Sequence, residues 1–166
     1  MSGQSGPPFY GKYRGKVTDN QDPNGWARIK ANVPDVLGDK EIGWAMPCVP
    51  YAGNGVGMFF IPSVNSSVWI EFEHGDPEYP VWTGCYWFSP EEVPFAPSAV
   101  PEKKVIKTEA GTITLDDGSG QLVIETAAGM KISISSSGIE IDDGQRGCIK
   151  LSGPSVSIND DALEVI

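Results

Sequence analysis

His74 is the sole histidine of the sequence and stands beside Glu73 and Asp76, residue types that move protons in hydrolytic sites. Such work needs a nucleophile in reach, and the segment offers neither serine nor cysteine. His74 therefore reads as a turn residue. Cys48, Cys85 and Cys148 show no CxxC spacing and are odd in number, so they are expected to be buried free thiols rather than a metal site or a disulfide framework. Gly53-Asn54-Gly55-Val56-Gly57 has the glycine density of a phosphate loop. A phosphate loop also needs a helix behind it to aim amides and dipole at the anion, and an apolar β-type run follows here instead.

Glycines at 111, 120, 129, 138 and 147 recur every nine residues, the period of calcium-binding solenoid repeats. Those repeats carry three glycines and an aspartate at position six of each unit. Here only the first glycine recurs, and only Asp116 and Asp143 fall at position six, so solvated turn acids are the expectation. Trp69 and Trp82 alternate with core-facing positions and have the ring faces that stack bases in some barrels. A net charge of −10, however, repels a phosphate backbone. Protein contact is the expected use of both rings, and Asn65-Ser66-Ser67 matches a glycosylation sequon without a secretory signal to give it meaning. No cofactor, metal or nucleic acid is expected.

The elements that hold these residues fall into two halves. All sixteen aromatics lie between Phe9 and Phe95, and thirteen of fourteen prolines lie at or before Pro101, so the two halves must build different cores. In the first half Ile29, Ala31 and Val33 alternate with Arg28, Lys30 and Asn32, and Val68, Ile70 and Phe72 alternate with Trp69, Glu71 and Glu73. Met58–Ile61 is a continuous apolar run suited to a strand covered on both faces. Pro80–Trp87 supplies another strand after the turn Gly75-Asp76-Pro77. Short strands, no helical periodicity and many turn residues predict a small OB-type barrel.

In the second half each glycine of the repeat precedes an alternating apolar pair: Ile113/Leu115, Leu122/Ile124, Ile132/Ile134, Ile139/Ile141 and Ile149/Leu151. Val156/Ile158 and Leu163/Val165 continue the series. Each unit is one short strand with one apolar face, which it cannot bury alone. A solitary solenoid would complete barely two turns with seven such strands. Three chains around one axis would close a prism, so an intertwined homotrimer is expected. Between the halves, prolines at 90, 94, 97 and 101 keep the chain extended.

Trp44-Ala45-Met46-Pro47, the glycine-rich turn at Gly53, Gly55 and Gly57, and Met58-Phe59-Phe60-Ile61-Pro62 come in sequence along the chain. Val68-Trp69-Ile70-Glu71-Phe72 follows, then Gly75-Asp76-Pro77 and Pro80-Val81-Trp82-Thr83-Gly84. This series resembles the central spike proteins of contractile tails: phage baseplate assembly protein V and the VgrG spikes of type VI secretion. Gly25–Lys30 with Val33-Pro34 fits the family's first barrel strand. The sequence departs from the pattern at Asn65-Ser66-Ser67, where a glycine and an acidic residue are usual. With one histidine it lacks the His-x-His iron site of some phage spikes, and its length leaves no room for an inserted lysozyme.

The resemblance implies a non-enzymatic structural spike: a baseplate hub and a membrane-piercing needle, with the OB-fold module for nucleic acid or glycan as the alternative. It also implies partners in the tail tube or baseplate hub, a separate PAAR-like tip protein, and only transient contact with a target membrane. Without a signal-peptide core in Met1–Pro8 the protein is expected to assemble in the cytoplasm, as part of a virion or injection particle. The expected organisation is an all-β chain with an arm (1–16), an OB-fold-like barrel (17–88), a Pro-rich linker (89–110) and a triple-stranded β-helix (111–166). The apolar pairs from Ile113 to Ile158 form the trimer core, with the five repeat glycines in its turns.

Overall fold

The computed structural model describes residues 7–94, 100–159 and 162–165. Residues 1–6 of the expected arm and 95–99 of the expected linker lie outside the described residues. The chain divides into two compact units, Met1–Phe88 and Ser89–Ile166.

The first unit holds β1 (Tyr13–Asp19), β2 (Lys30–Asn32), β3 (Met46–Pro47), β4 (Ala52–Gly53), β5 (Val56–Gly57), β6 (Ser67–Phe72) and β7 (Pro80–Cys85). Five of them form a sheet in the order β2-β1-β6-β7-β3, while β4 and β5 make a separate hairpin. An antiparallel bridge between Ile29 and Ala45 joins the two margins of the sheet and closes it into a barrel. Inside lie Val17, Ile29, Ala31, Val33, Ile70 and their neighbours, each at most 1% exposed, with Phe72 at 7% and Trp82 at 5%. A single helical turn, α1 (Pro34–Leu37), starts on its proline and packs Val36 and Leu37 against this core.

Several expectations shift here. Tyr13–Lys16, placed in the arm by the sequence, form the first half of β1, because Tyr13 packs its ring against Phe9 and Phe72. Trp82 faces inward: Pro80 and Trp82 share the buried face of β7, and the indole Nε1 donates to the Ala27 carbonyl at 3.2 Å. Met58–Phe60 form no strand, and Phe59 is 74% exposed, since among the described residues no neighbouring strand comes alongside to cover them. Only Ile61 of that run packs on the core. Cys48 and Cys85 are exposed and Cys148 is half-buried, so none is the buried thiol expected.

The second unit is one eight-stranded sheet: β8 (Lys103–Lys107), β9 (Gly111–Asp116), β10 (Gln121–Thr126), β11 (Lys131–Ser135), β12 (Gly138–Asp142), β13 (Cys148–Ser152), β14 (Ser155–Ile158) and β15 (Leu163–Val165). β8 lies within the segment expected as linker. Strand order is chain order and every pairing is antiparallel. The chain is all-β with a barrel followed by a β-sheet domain. The path of one chain through that domain is direct. Each strand turns back on the one before it, so the sheet is a meander made by a single chain.

Candidate functional site

Register turns the alternating pattern into a surface. One row runs across the sheet through Ile106, Ile113, Ile124, Ile132, Ile141, Ile149, Ile158 and Leu163, each opposite the next. A second row, one pleat away, runs through Leu115, Leu122, Ile134, Ile139, Leu151 and Val156. Residues two apart on a strand share a face, so both rows lie on the same side. All twelve apolar positions expected from the sequence as interface are therefore gathered on one face. Ile132 is 39% exposed and Ile141 41%, against at most 7% for the barrel core, so among the described residues this face is left partly open. Toward one margin it dips into a groove of about 520 Å³ floored by Ile132, Ile141 and Ile149 beside Met130.

The opposite face is polar. Its central row passes from Thr114 through Val123, Ser133, Glu140 and Lys150 to Ser157. Lys150 and Glu140 approach to 3.8 Å. The second apolar row begins at Lys104 in β8, which pairs with Asp117 at the head of the next turn.

The repeat glycines serve different needs. Gly129 (φ +90°) and Gly120 (φ +65°) sit in turns, where a positive φ favours glycine. Gly111 and Gly138 open strands β9 and β12 and are held to glycine by close approach, Gly138 at a positive φ (+134°) as well. A Cβ on Gly111 would stand 2.5 Å from the Glu125 carbonyl oxygen, and one on Gly138 would run into that of Leu151. Gly147 lies against the Asp143 carboxylate.

Both aspartates at calcium-repeat position six bind backbone amides. Asp143 Oδ1 accepts from Gln145 (2.8 Å), Gly147 (2.9 Å) and Arg146 (3.0 Å), which holds its carboxyl below the usual range. For Asp116, partial burial pushes the carboxyl up, but hydrogen bonds from Ser119 and Gly118 outweigh it and leave the group lowered. These oxygens stabilise turns. Among the described residues no group of three or more His, Cys, Asp or Glu is placed to hold a metal.

The barrel's motif residues are turn and contact devices. Gly75 (φ +77°) has no space for a Cβ, which would lie 2.8 Å from Pro8, and its carbonyl accepts from Phe9 N–H at 2.8 Å. Asp76 Oδ1 accepts from Glu78 N–H across Pro77, and Pro80 opens β7 opposite Phe72. Gly84 lies opposite Trp69 beside the irregularity in the β6–β7 pairing, and the Pro62 carbonyl accepts from Asn20. Gly53, Gly55 and Gly57 belong to the β4–β5 hairpin, with Gly57 pressed on Tyr51. His74 sits in the Glu73–Gly75 turn at φ +54°.

The sequence reading missed two clusters. Asp22 forks onto the Arg28 guanidinium (2.6 and 3.0 Å) while accepting amides of Asn24, Trp26 and Arg28. The Arg28 bond, with those amides, draws the Asp22 carboxyl far below its ordinary value. On the outer face of β1, Arg14 lies over Trp69 and Tyr86. Its signal was present in the alternation of Arg14 and Lys16 with the inward Gly15 and Val17.

Residues 13–87 match the family model of the type VI secretion system/phage-baseplate injector OB domain. Residues 103–164 match the phage baseplate V C-terminal trimerisation domain. The chain is 32% identical over 93 residues, 56% of its length, to the type VI secretion system spike protein VgrG4b of Pseudomonas aeruginosa, covering 11% of that protein. It is 28% identical over 108 residues, 63% of its length, to the type VI secretion system spike protein VgrG3 of Vibrio cholerae serotype O1, covering 10% of it. The chain thus spans about a tenth of the length of these curated relatives.

Proposed function

Because this chain belongs to the phage-baseplate V injector family and carries both its OB domain and its trimerisation domain, we infer that three copies assemble into the spike of a contractile particle. The observation that carries this reading is the pair of apolar rows from Ile113 to Ile158, open on one face of a sheet whose other face is polar. Three such sheets turned inward form a closed prism with a dry axis. Antiparallel pairing satisfies the backbone of the inner strands β9–β14 within each chain, so over them association needs only to cover side chains. This removes apolar surface from water at about 25 cal/mol per Å².

In this assembly the barrels form the hub, seated on the tail tube or baseplate, and the sheets form the needle that enters the target membrane when the tail contracts. A separate PAAR-like protein caps the needle, and the spike joins its particle in the cytoplasm. The work is mechanical rather than catalytic. Stiffness comes from the ladder of hydrogen bonds between consecutive strands, not from any titrating group.

Sedimentation of the purified protein tests the reading. A species at three times the 17.8 kDa chain mass is expected, persisting at low micromolar concentration. A monomer under those conditions sinks the prism and the needle with it.

A further inference from the structure

The outer face of the barrel carries a charge pattern opposite to that of the rest of the chain. Arg14 and Lys16 project from β1, and Lys12 stands just before it. Lys12 is matched by Glu71 at 2.8 Å. Among the described residues Arg14 and Lys16 pair with no carboxylate. Both are held by rings instead: Arg14 lies 5.7 Å from the Trp69 centroid and 5.4 Å from that of Tyr86, and Lys16 Nζ lies 5.8 Å from Phe88. They flank a groove of about 630 Å³ that also takes in Asn32, Asn65, Val64 and Phe88. The sequence has 22 Asp and Glu against 12 Lys and Arg, yet among the described residues no acid lines this groove.

Two cations side by side in an acid-free groove select for an anion. The rings narrow the choice. A guanidinium laid over Trp69 and Tyr86 presents its N–H edge outward, and that edge matches a carboxylate with two parallel hydrogen bonds. Nucleobases would need the ring faces, which Arg14 already covers, and a phosphate polymer would meet the net charge of −10 beyond the groove. Val64, Pro34 and Phe88 supply apolar walls. Arg, Trp and Tyr are also the residues that dominate binding energy between proteins. We propose that this groove docks a segment of another protein of the particle, one that presents an aspartate or glutamate flanked by apolar residues. The proposal rests on the spike reading and adds a chemical specification for its partner.

Assembled particles treated with a carbodiimide, which joins amines to carboxylates at zero length, test it. Peptide mass analysis is expected to find Lys16 linked to an Asp or Glu of a second protein. Lys16 left unlinked, or linked only within its own chain, overturns the proposal. In parallel, Arg14→Glu combined with Lys16→Glu is expected to leave the purified protein trimeric, with the same thermal transition of the barrel. Complete particles should fall roughly tenfold or more. Reversing the linked carboxylate to lysine should then restore them. Unchanged particle yield overturns docking and leaves the spike intact, whereas a monomeric wild type faults the spike reading itself. Arg14-dependent binding of a short single-stranded DNA at physiological salt also overturns the proposal, in favour of nucleic acid.

Discussion

Replacing Ile132 with aspartate places a carboxylate in the middle of the first apolar row, opposite Ile124 and Ile141. Ile132 is 39% exposed, so three-fifths of its burial is achieved within the chain and the rest awaits partners. Full burial of an isoleucine is worth ~1.5–3 kcal/mol, which leaves ~1 kcal/mol per chain for association and ~3 kcal/mol for three copies. The charge adds far more. An unpaired ion taken out of water costs several kcal/mol, so three facing one another raise the total to ~10 kcal/mol or above. At 1.4 kcal/mol per decade, that weakens trimer association by about seven orders of magnitude. Ser157→Asp puts the same charge on the polar face opposite Lys150 and should change stability by less than ~1 kcal/mol. Sedimentation velocity at micromolar concentration separates the two: Ile132→Asp should run as a monomer and Ser157→Asp as a trimer. Acid should partly rescue the first, because an aspartate covered by apolar surface has a raised pKa and enters the trimer neutral. Equal behaviour of the two variants would refute the assignment of faces.

Gly138→Val should abolish the sheet domain while sparing the barrel, since its side chain meets the Leu151 carbonyl. All five tryptophans lie at or before Trp87, so their fluorescence reports the barrel alone and should be unchanged. A chain ended at residue 94 should keep its cooperative thermal transition, having its own core, but lose the trimer mass. Asp22 has a lowered carboxyl pKa, so its contribution is complete above the ordinary value of 3.8 and is lost as pH falls below it. The stability gap between wild type and Asp22→Asn, measured by urea denaturation, should therefore be constant near neutrality and shrink below about pH 4.

Much of this was readable from residue alternation. Ile29/Ala31/Val33 and Val68/Ile70/Phe72 point inward as their period of two requires, and the apolar pairs from Ile113 to Ile158 share one face. Period two names a face, however, and not the strand that lies alongside. The nine-residue repeat fits a chain winding around an axis as well as one folding back on itself. Within one chain the turns set the path: Ser136-Ser137 and Gly153-Pro154 leave only two residues between strands, a span that returns a hairpin. Met58–Phe60 failed for a related reason, because apolar content speaks for burial without saying whether the chain or a partner provides it. Arg14 was passed over because a cation on a strand's outer face looks like ordinary solvation until its neighbours across the sheet prove to be rings.

The meander also fixes how such a domain can change size. Every strand's neighbour in the sheet is its neighbour in the chain, so the hydrogen-bond partners of each strand come from the adjoining repeats. One nine-residue unit adds one strand, or ~4.8 Å across the sheet. Two units add a hairpin of ~10 Å that returns the chain to the same edge, with both apolar rows still in register. Length can therefore be gained or lost by duplicating or deleting eighteen-residue segments, such as Gly120 to Ser137, without redesigning the contacts on either side. The distance the domain can span is thus set by the number of repeats, independently of the barrel that precedes it.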